Sequence, residues 1–481
     1  MRNAERPKTK GLDLEYIFHP RSVAVVGASL ADLSDPMNIG GPTFWKDLLD
    51  FGFEGAIYPV NPKGGEVAGL KVYPSLSDVP GPVDYVISRI PAQFTPQLMK
   101  DCAAKGVKVI SIFAAGFSDS GEEKGKQLEA EMVKIAREGG VRIIGPNCMG
   151  IYCPHARLSW EKNFPRESGP VGFFSQSGGN SWKFVRPGAV RGIRFSKVIS
   201  YGNASDLNEA DFLEYFAHDP ETKIIAAYIE GARDGRRFRR ILGETARVKP
   251  VIILKGGSTA AGTRAVASHT GSLAGAETTW DSLCEQTGAI RVHTMEELVD
   301  VAVAFLFMSP PEGRRVGLIG LSGGESVQSA DDCECAGLNV PQLPQEIQNA
   351  YVPDAGSSIR NPVDSTTGLV APTQYAEVVA IVSSWTEIDF LIPFITVDHL
   401  PTHMIEHGAL NLMVNALINV REVSAKPMAV VINADISTIA FEQLDEARER
   451  LLSAGFPVYP TFSRAAQAIS KFIRYHEGGK K

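Results

Sequence analysis

The segment 249–275 combines a strand pattern, a glycine turn and a histidine that could act as a nucleophile. It begins with an apolar run at 251–254, turns at two glycines, and ends with His269 among small residues. Neutral imidazole is a competent nucleophile near pH 7, and small neighbours would let a bulky tetrahedral group reach it. Taken alone, the pattern favours a plainer alternative, a loop histidine that caps a helix or faces solvent.

A turn rich in serine and glycine follows a second apolar run, at 171–174. Hydroxyl groups and glycine N–H groups at the start of a helix form a cradle for an anion. An ordinary N-cap needs only one serine, so two serines with two glycines favour an anion site over that alternative. This predicted phosphate cradle consists of Ser175, Ser177, Gly178 and Gly179.

Glu230 follows a third apolar run, at 224–229. A carboxylate at the carboxyl end of a strand lies where α/β folds build their sites. It could accept a proton from one imidazole nitrogen and leave the other nitrogen free to attack. An isolated glutamate is more often a solvated loop residue. The cradle, Glu230 and His269 all follow apolar runs, which predicts that they share one sheet edge.

A nucleotide-like site is predicted near the N-terminus. Residues 23–30 form an apolar strand that turns at Gly27 toward a helix, and such a turn offers backbone N–H groups to a pyrophosphate. The full glycine pattern of dinucleotide sites is not present. Asn61 and Lys63 follow the next strand, where an NAD site would have an acidic residue. The lysine favours coenzyme A or NADP; a lysine that merely faces solvent is the alternative.

No metal site is predicted. His403 and His407 are four residues apart with Glu406 beside them, but Pro401 keeps His399 off any helix that they share. The six cysteines are scattered without zinc-site spacing, which indicates reduced thiols.

The composition is that of a globular protein. The chain has 481 residues, 44% hydrophobic and 21% charged, enough for about three domains. The net charge of −7 gives no reason to expect nucleic acid or an anionic membrane as a partner. No apolar run reaches the roughly 18 residues that span a bilayer, and the charged N-terminal segment lacks the apolar core of a secretory signal. A cytoplasmic protein is expected.

Apolar runs alternate with helical patterns almost to the end of the chain, which predicts layers of parallel strands and helices. Three units are predicted, at 11–150, 151–309 and 314–475. The second and third echo each other, because GPVGFFSQSGGN at 169–180 resembles RRVGLIGLSGGES at 314–326. The predicted strands are 22–28, 56–60, 85–87, 107–113, 141–144, 171–174, 196–200, 224–229, 251–254, 289–292, 316–321, 390–396, 428–433 and 458–461.

Eight motifs carry a family resemblance. In order they are VAVVGAS, YPVNPK, AAGFSDSG, IGPNCMG, FSQSGG, SYGNASDLNEADFLEYFAHDP, YIEGARDGRRF and ASHTGSLAG. Together they resemble the NDP-forming acyl-CoA synthetases of the ADP-forming acetate–CoA ligase type, which are relatives of the α subunit of succinyl-CoA synthetase. The resemblance covers roughly residues 11–470. It implies a Rossmann-like CoA-binding domain followed by two flavodoxin-like α/β domains.

The resemblance also implies roles for single residues. His269 would carry a phosphoryl group, the cradle would hold that phosphate, and Glu230 would contact the phosphohistidine. The contacts to coenzyme A would be Gly27, Ser29, Asn61, Lys63, Pro91, Ala114 and Ala115.

No segment resembles the ATP-grasp module with which this family loads phosphate from ATP or GTP with Mg²⁺. The sequence is therefore expected to be an α-type subunit that works in a hetero-oligomer with a separate ATP-grasp β-type subunit. Three departures stand out. The family's usual SQSGAL is SQSGGN at 175–180 in this sequence. Pro187 is expected to interrupt the helix after the cradle, and Arg89 precedes Ile90-Pro91, where relatives favour small or apolar residues.

The predicted function is synthesis of acyl-CoA from a carboxylic acid, CoA and NTP, through a phosphohistidine and an acyl phosphate. Two alternatives remain: a non-catalytic CoA or acyl-CoA sensor on the same scaffold, and an NAD(P)-dependent oxidoreductase using the first domain. No motif reports which carboxylic acid would be used.

Overall fold

The computed structural model describes residues 14–30, 43–270, 276–321, 323–350, 358–364, 372–396, 408–433 and 441–478. Within this part, the side chains of residues 267–270, 321, 358, 372, 373, 396 and 441 are also outside the description. Three large sheets carry the fold.

The first sheet has five parallel strands in the order β2-β1-β5-β6-β7. All of its strands except β2 are almost wholly buried because helices cover both faces, which explains why they read as continuous apolar runs. The strand order reverses beside β1, and α/β sheets bind ligands at such a switch point. The strands are β1 (Ser22–Val26), β2 (Ala56–Val60), β5 (Tyr85–Ser88), β6 (Val109–Ile112) and β7 (Arg142–Ile144), with a small hairpin of β3 (Gly65–Val67) and β4 (Leu70–Val72).

Four helices accompany this sheet. Each of the longer ones ends at a glycine with positive φ, the usual helix stop. They are α1 (Glu15–Phe18), α2 (Phe44–Phe51), α3 (Thr95–Lys105) and α4 (Glu123–Gly139), and short 3₁₀ turns lie at Ala92–Phe94 and Ser118–Ser120.

The second sheet has six strands in the order β13-β12-β11-β9-β10-β8. Its edge strand β8 runs antiparallel to β10, and the apolar pattern did not predict it because it is only three residues long. The strands are β8 (Gly150–Tyr152), β9 (Ser168–Ser175), β10 (Phe195–Ser200), β11 (Ile224–Ile229), β12 (Val251–Lys255) and β13 (Ile290–Val292). Its helices are α5 (Gly178–Val190), α6 (Glu209–His218), α7 (Gly235–Ala246), α8 (Ala260–Thr270) and α9 (Glu277–Thr287). The next helix, α10 (Met295–Phe307), belongs mostly to the compact unit of the third sheet.

The third sheet repeats this plan around its own apolar core, in the order β15-β16-β14-β17-β18-β19. Its strands are β14 (Val316–Leu321), β15 (Ser358–Ile359), β16 (Val363–Asp364), β17 (Phe390–Thr396), β18 (Val430–Asn433) and β19 (Val458–Tyr459). Its helices are α11 (Gly323–Cys335), α12 (Gln345–Asn349), α13 (Pro372–Ser384), α14 (Ala409–Val423), α15 (Phe441–Ser453) and α16 (Phe462–Gly478).

Two local predictions are wrong. Pro187 does not interrupt the helix after the cradle, because α5 continues through it to Val190. His269 does not lie in a loop: Ala260–Thr270 is helical, in keeping with its alanines, which are the best helix formers.

The chain divides into two compact units. One comprises the described residues up to Ala189 with Ile193–Leu298, and the other comprises Val190–Gly192 with the described residues from Val299 onward. No helix in the described part is long and apolar enough to cross a membrane.

Candidate functional site

The turn after β9 is a helix N-terminus held in shape by its own serines. Ser175 is fully buried, and its Oγ donates to the Ser177 carbonyl at 2.7 Å and accepts from the Ser177 N–H at 3.1 Å. Ser177 caps α5, since its Oγ accepts from the Asn180 N–H at 3.3 Å. The hydroxyl of Ser175 therefore shapes the turn instead of facing an anion.

The glycine amides are the part of the cradle that can meet an anion. Gly178 and Gly179 are the first two residues of α5, where N–H groups have no intrahelical acceptor and the helix dipole favours negative charge. Gly179 is exposed, whereas Gly178 lies against Met149: a Cβ there would come within 2.9 Å of the Met149 Cγ. The turn thus offers one open and one close-packed position.

Glu230 sits directly beside this turn. The Gln176 side-chain oxygen accepts hydrogen bonds from the backbone N–H groups of both Glu230 and Gly231, the latter at 3.0 Å. In the other direction, the Gln176 N–H donates to the carbonyl of Tyr228 at 3.1 Å. These bonds fix the end of β11 against the cradle, and they confirm that the two segments meet at one sheet edge.

The carboxylate of Glu230 is 3% exposed and accepts a hydrogen bond from the Tyr228 hydroxyl at 3.2 Å. Burial, followed by the charge of Glu230, raises the pKa of Tyr228, so the hydroxyl remains a donor. Asn180 also bonds this tyrosine. Asn180 takes the place of the leucine in the family's usual SQSGAL, and it joins the cradle helix to the carboxylate.

Lys255 lies at the end of β12, and burial lowers its pKa. It is 3% exposed, donates to the carbonyl of Gly256, and lies 5.8 Å from the ring centre of Trp280. Glu277 and Glu230 both favour its charged form. The glycine turn that begins here leads into α8.

His269 belongs to the last turn of α8, and its side chain lies outside the described residues. The helix packs against the turn Ser118–Ser120 that follows β6 of the first sheet. The segment with the histidine thus runs from the second sheet to the carboxyl edge of the first. His399, His403, Glu406 and His407 also lie outside the described residues, and no metal-ligand cluster is present among those described.

Asn203 joins the turn after β6, the helix α4 and the loop after β11, and the sequence patterns did not single it out. Its side-chain amide donates to Asp119 Oδ1 at 2.8 Å and to Glu129 Oε2 at 3.2 Å. Its carbonyl accepts a hydrogen bond from the Arg233 guanidinium, in the loop after Glu230. The motif SYGNASD contains this asparagine, but it lies in a turn, where asparagine is common, so the sequence carries no signal of its partners.

The turn after β1 differs from the predicted pyrophosphate site. Gly27 and Ala28 do not offer free N–H groups, because both donate to the Val60 carbonyl, at 3.0 and 3.1 Å. Asn61 closes the turn by donating to the Ala28 carbonyl at 2.9 Å, and the Ser29 carbonyl accepts from Trp45 Nε1 at 3.1 Å.

The remaining predicted coenzyme contacts lie along the same edge. Lys63 is exposed after β2. A Cβ at Gly116 would be 3.6 Å from the Cβ of Ala92, so the loop after Pro91 adjoins the turn that follows Ala114 and Ala115. The carboxyl edge of the first sheet is thus a continuous row of turns.

Two family models match the chain. The succinyl-CoA ligase like flavodoxin domain matches residues 168–305, and the CoA binding domain matches residues 21–154. The α subunit of ADP-forming acetate–CoA ligase I from Pyrococcus furiosus is 36% identical over 476 residues, which cover 96% of this chain and 98% of that protein. This chain belongs to the ADP-forming acyl-CoA ligase family, as an α-type chain.

Two further relatives agree with this membership. The α subunit of ADP-forming acetate–CoA ligase II from Pyrococcus furiosus is 42% identical, over 73% of this chain and 76% of that one. An acetyl-coenzyme A synthetase 1 from Ca. Korarchaeum cryptofilum, solved with phosphate and ADP, is similar in structure. Its TM-score is 0.80 at 32% identity, and the match covers 97% of this chain and 98% of that one.

The predicted family, fold class and enzyme class are therefore confirmed. An ADP-forming acyl-CoA ligase is an acid–thiol ligase that works with coenzyme A and ATP, and nothing in the comparisons favours the regulatory alternative.

Proposed function

We propose that this chain is the α-type subunit of an NDP-forming acyl-CoA synthetase in which His269 carries the phosphoryl group. The observation that carries the proposal is the junction at the second sheet, where a helix N-terminus and a buried carboxylate are bonded together through Gln176. The α8 helix, which contains His269, packs against the turn Ser118–Ser120 after β6.

In this proposal, the histidine nitrogen takes the terminal phosphoryl group of the nucleotide, and the N–P bond that forms replaces the bond to NDP. The carboxylate oxygen of the acid then attacks phosphorus, the N–P bond breaks, and an acyl phosphate results. Transfer of the acyl group to the thiol of coenzyme A releases phosphate. The amides of Gly178 and Gly179 would stabilise charge on the phosphoryl oxygens.

Glu230 would hold the imidazole. Its carboxylate is buried at the end of β11, beside the cradle, and an ionised carboxylate is an acceptor that suits an imidazole N–H. Such a bond fixes the tautomer, so that the opposite ring nitrogen carries the phosphoryl group. Ser175 and Ser177 support the turn that holds this phosphate.

Coenzyme A would lie along the carboxyl edge of the first sheet. Gly27 has a positive φ, and a Cβ there would lie 3.1 Å from Ile90, so the turn after β1 requires a glycine. The exposed Lys63 supplies positive charge at this edge. The contacts assigned to coenzyme A are Gly27, Ser29, Asn61, Lys63, Pro91, Ala114 and Ala115.

A separate ATP-grasp β-type subunit would supply the nucleotide site for ATP or GTP with Mg²⁺. The relatives from Pyrococcus furiosus are named as α subunits, which supports this partner. A cytoplasmic location fits the six cysteines, all of which are free thiols. Three domains at 11–150, 151–309 and 314–475 remain the proposed organisation.

The test is phosphorylation of the chain. The full chain is mixed with its β-type subunit, Mg²⁺ and labelled ATP; acid-labile, base-stable label is expected on the wild type and none on His269→Ala. The exposed His155 provides the matched control, and His155→Ala is expected to keep the label. Label that persists in His269→Ala would refute the proposal. A panel of carboxylic acids, followed by release of phosphate, then identifies the substrate.

A further inference from the structure

Arg89 is a half-buried cation that has no counter-ion among the residues that the structure describes. It directly follows β5, and its Nε is buried with no hydrogen-bond partner. No ion pair or hydrogen bond of its guanidinium occurs within the described part of the chain. Burial lowers the pKa of Arg89, and no carboxylate opposes this effect. The charge is thus partly desolvated and uncompensated.

Other arginines of the same unit differ in this respect. Arg142 bonds Asp206 at 2.8 Å, and Arg237 bonds Asp211 at 2.8 Å. Burial alone would lower the pKa of each of these arginines, but the partner carboxylates offset this and raise it overall. An arginine that lacks such a partner is expected where an anion is supplied from outside the chain.

Two buried hydroxyl groups on the same stretch of chain as Arg89 also lack a hydrogen-bond partner. Ser88 Oγ and Thr95 Oγ1 both lie in residues that are 0% exposed, and neither has a hydrogen-bond partner. The two residues bracket the connection from β5 to α3 that contains Arg89. Buried polar atoms are rarely left unsatisfied, and exceptions gather at ligand sites.

Arg89 also lies at the switch point of the first sheet. Its N–H donates to the Val26 carbonyl at 2.8 Å, and a Cβ on Gly27 would be 3.2 Å from the Arg89 carbonyl carbon. The amides of Gly27 and Ala28 are already engaged with Val60. The turn therefore lacks two donors that a phosphate would normally find there, and a guanidinium can supply them bidentately.

We propose that Arg89 binds the pyrophosphate of coenzyme A at the turn after β1. This inference rests on the proposed function, which places coenzyme A on this sheet edge, and it adds a residue that the coenzyme contacts above do not include. Arg89 would replace the occupied amides of Gly27 and Ala28 as the donor to the phosphate oxygens.

The experiment measures binding of coenzyme A and of 3′-dephospho-coenzyme A to the full chain by calorimetry. Arg89→Gln is expected to weaken both ligands at least tenfold, because both contain the pyrophosphate. Arg89→Lys keeps the positive charge but lacks the two parallel N–H donors of a guanidinium, so an intermediate loss of affinity is expected. Arg421→Gln is the matched control: Arg421 is also half-buried with an unpaired Nη1, but it packs 4.5 Å from the centre of the Phe456 ring in the other unit. It is expected to bind like the wild type.

Several outcomes would overturn the inference. Unchanged affinity in Arg89→Gln would do so directly. Weakening of coenzyme A alone would assign Arg89 to the 3′-phosphate. An unchanged affinity for coenzyme A with a raised KM for the carboxylic acid, measured with the β-type subunit, would assign it to the substrate carboxylate. A wild-type chain that bound neither ligand would refute the proposed function itself. This outcome differs from failure of the Arg89 inference, in which the wild type binds both ligands and Arg89→Gln binds them equally well.

Discussion

The side-chain oxygen of Gln176 accepts the backbone N–H of Glu230 and so joins the cradle turn to the proposed histidine-orienting carboxylate. Gln176 is 1% exposed, and the same oxygen also serves the Gly231 N–H at 3.0 Å. One buried amide therefore sets the distance between the two halves of the proposed phosphoryl site.

Gln176→Met is expected to lower the free energy of unfolding by about 2–4 kcal/mol, because two buried N–H groups lose their acceptor. Phosphorylation of the chain should slow as Glu230 moves away from the cradle. Denaturant unfolding and the rate of labelling measure the two effects. Gln97, an exposed residue that bonds Asp101 at 2.9 Å, gives the control Gln97→Met, which should change neither. An unaltered labelling rate in Gln176→Met would contradict the assigned role.

The two glycines of the cradle should differ in their tolerance of a methyl group. In Gly178→Ala the new Cβ would come within 2.9 Å of Met149 Cγ, and such overpacking costs about 1–3 kcal/mol. In Gly179→Ala the nearest atom is Ser177 Oγ at 3.9 Å, so the change should be neutral or stabilise the helix by up to about 1 kcal/mol. Thermal unfolding and the rate of phosphorylation of both variants test whether Gly178→Ala is the more damaging change. Equal effects in the two variants would show that Met149 adjusts without cost.

Glu209 makes stability depend on pH. It is fully buried, its Oε1 accepts from the Arg233 N–H at 2.7 Å, and burial raises its pKa from 4.5 to about 7. At a pH between these two pKa values, Glu209 keeps its proton in the folded chain but has lost it in the unfolded chain. This contribution to stability therefore falls as pH rises from about 4.5 to about 7, by up to roughly 3 kcal/mol.

The variant Glu209→Gln should lack this contribution. The difference in Tm between pH 5 and pH 8 is expected to be smaller in the variant than in the wild type. Glu244→Gln changes an exposed carboxylate, paired with Arg240 at 3.1 Å, and should follow the wild type. Parallel pH profiles for the wild type and Glu209→Gln would refute the prediction.

Lys197 should be indispensable for the stability of the second sheet. It is 0% exposed, and its Nζ lies 3.1 Å from Asp219 and 2.7 Å from Glu221. Lys197→Met leaves the buried Asp219 carboxylate unpaired, which costs about 3–5 kcal/mol. Adding Asp219→Asn should recover part of this loss. Lys126→Met, which removes an exposed pair at 3.9 Å, should cost under about 1 kcal/mol. Denaturant unfolding of the wild type and these three variants measures the size of each loss.

The sequence predicted the parallel strands well, because strands buried on both faces read as uninterrupted apolar runs. It missed β8, whose three residues carry too little pattern. It placed His269 in a loop because its small neighbours suit a turn as well as a helix. Free amides were expected at Gly27 and Ala28, but acceptors such as the Val60 carbonyl come from another strand and depend on register. The contributions of Gln176 and Asn203 depend on packing in the same way.

The position of β8 has a consequence for dissecting the protein. The strand Gly150–Tyr152 begins at the residue where the proposed first domain ends, yet it pairs with β10 of the second sheet. A recombinant fragment that starts at Ile151 would keep only part of this pairing, and one that starts later would leave β10 as a bare sheet edge. Bare edges promote self-association between copies. A fragment meant to contain the second sheet should therefore begin ahead of Gly145, so that β8 stays with the strand it covers.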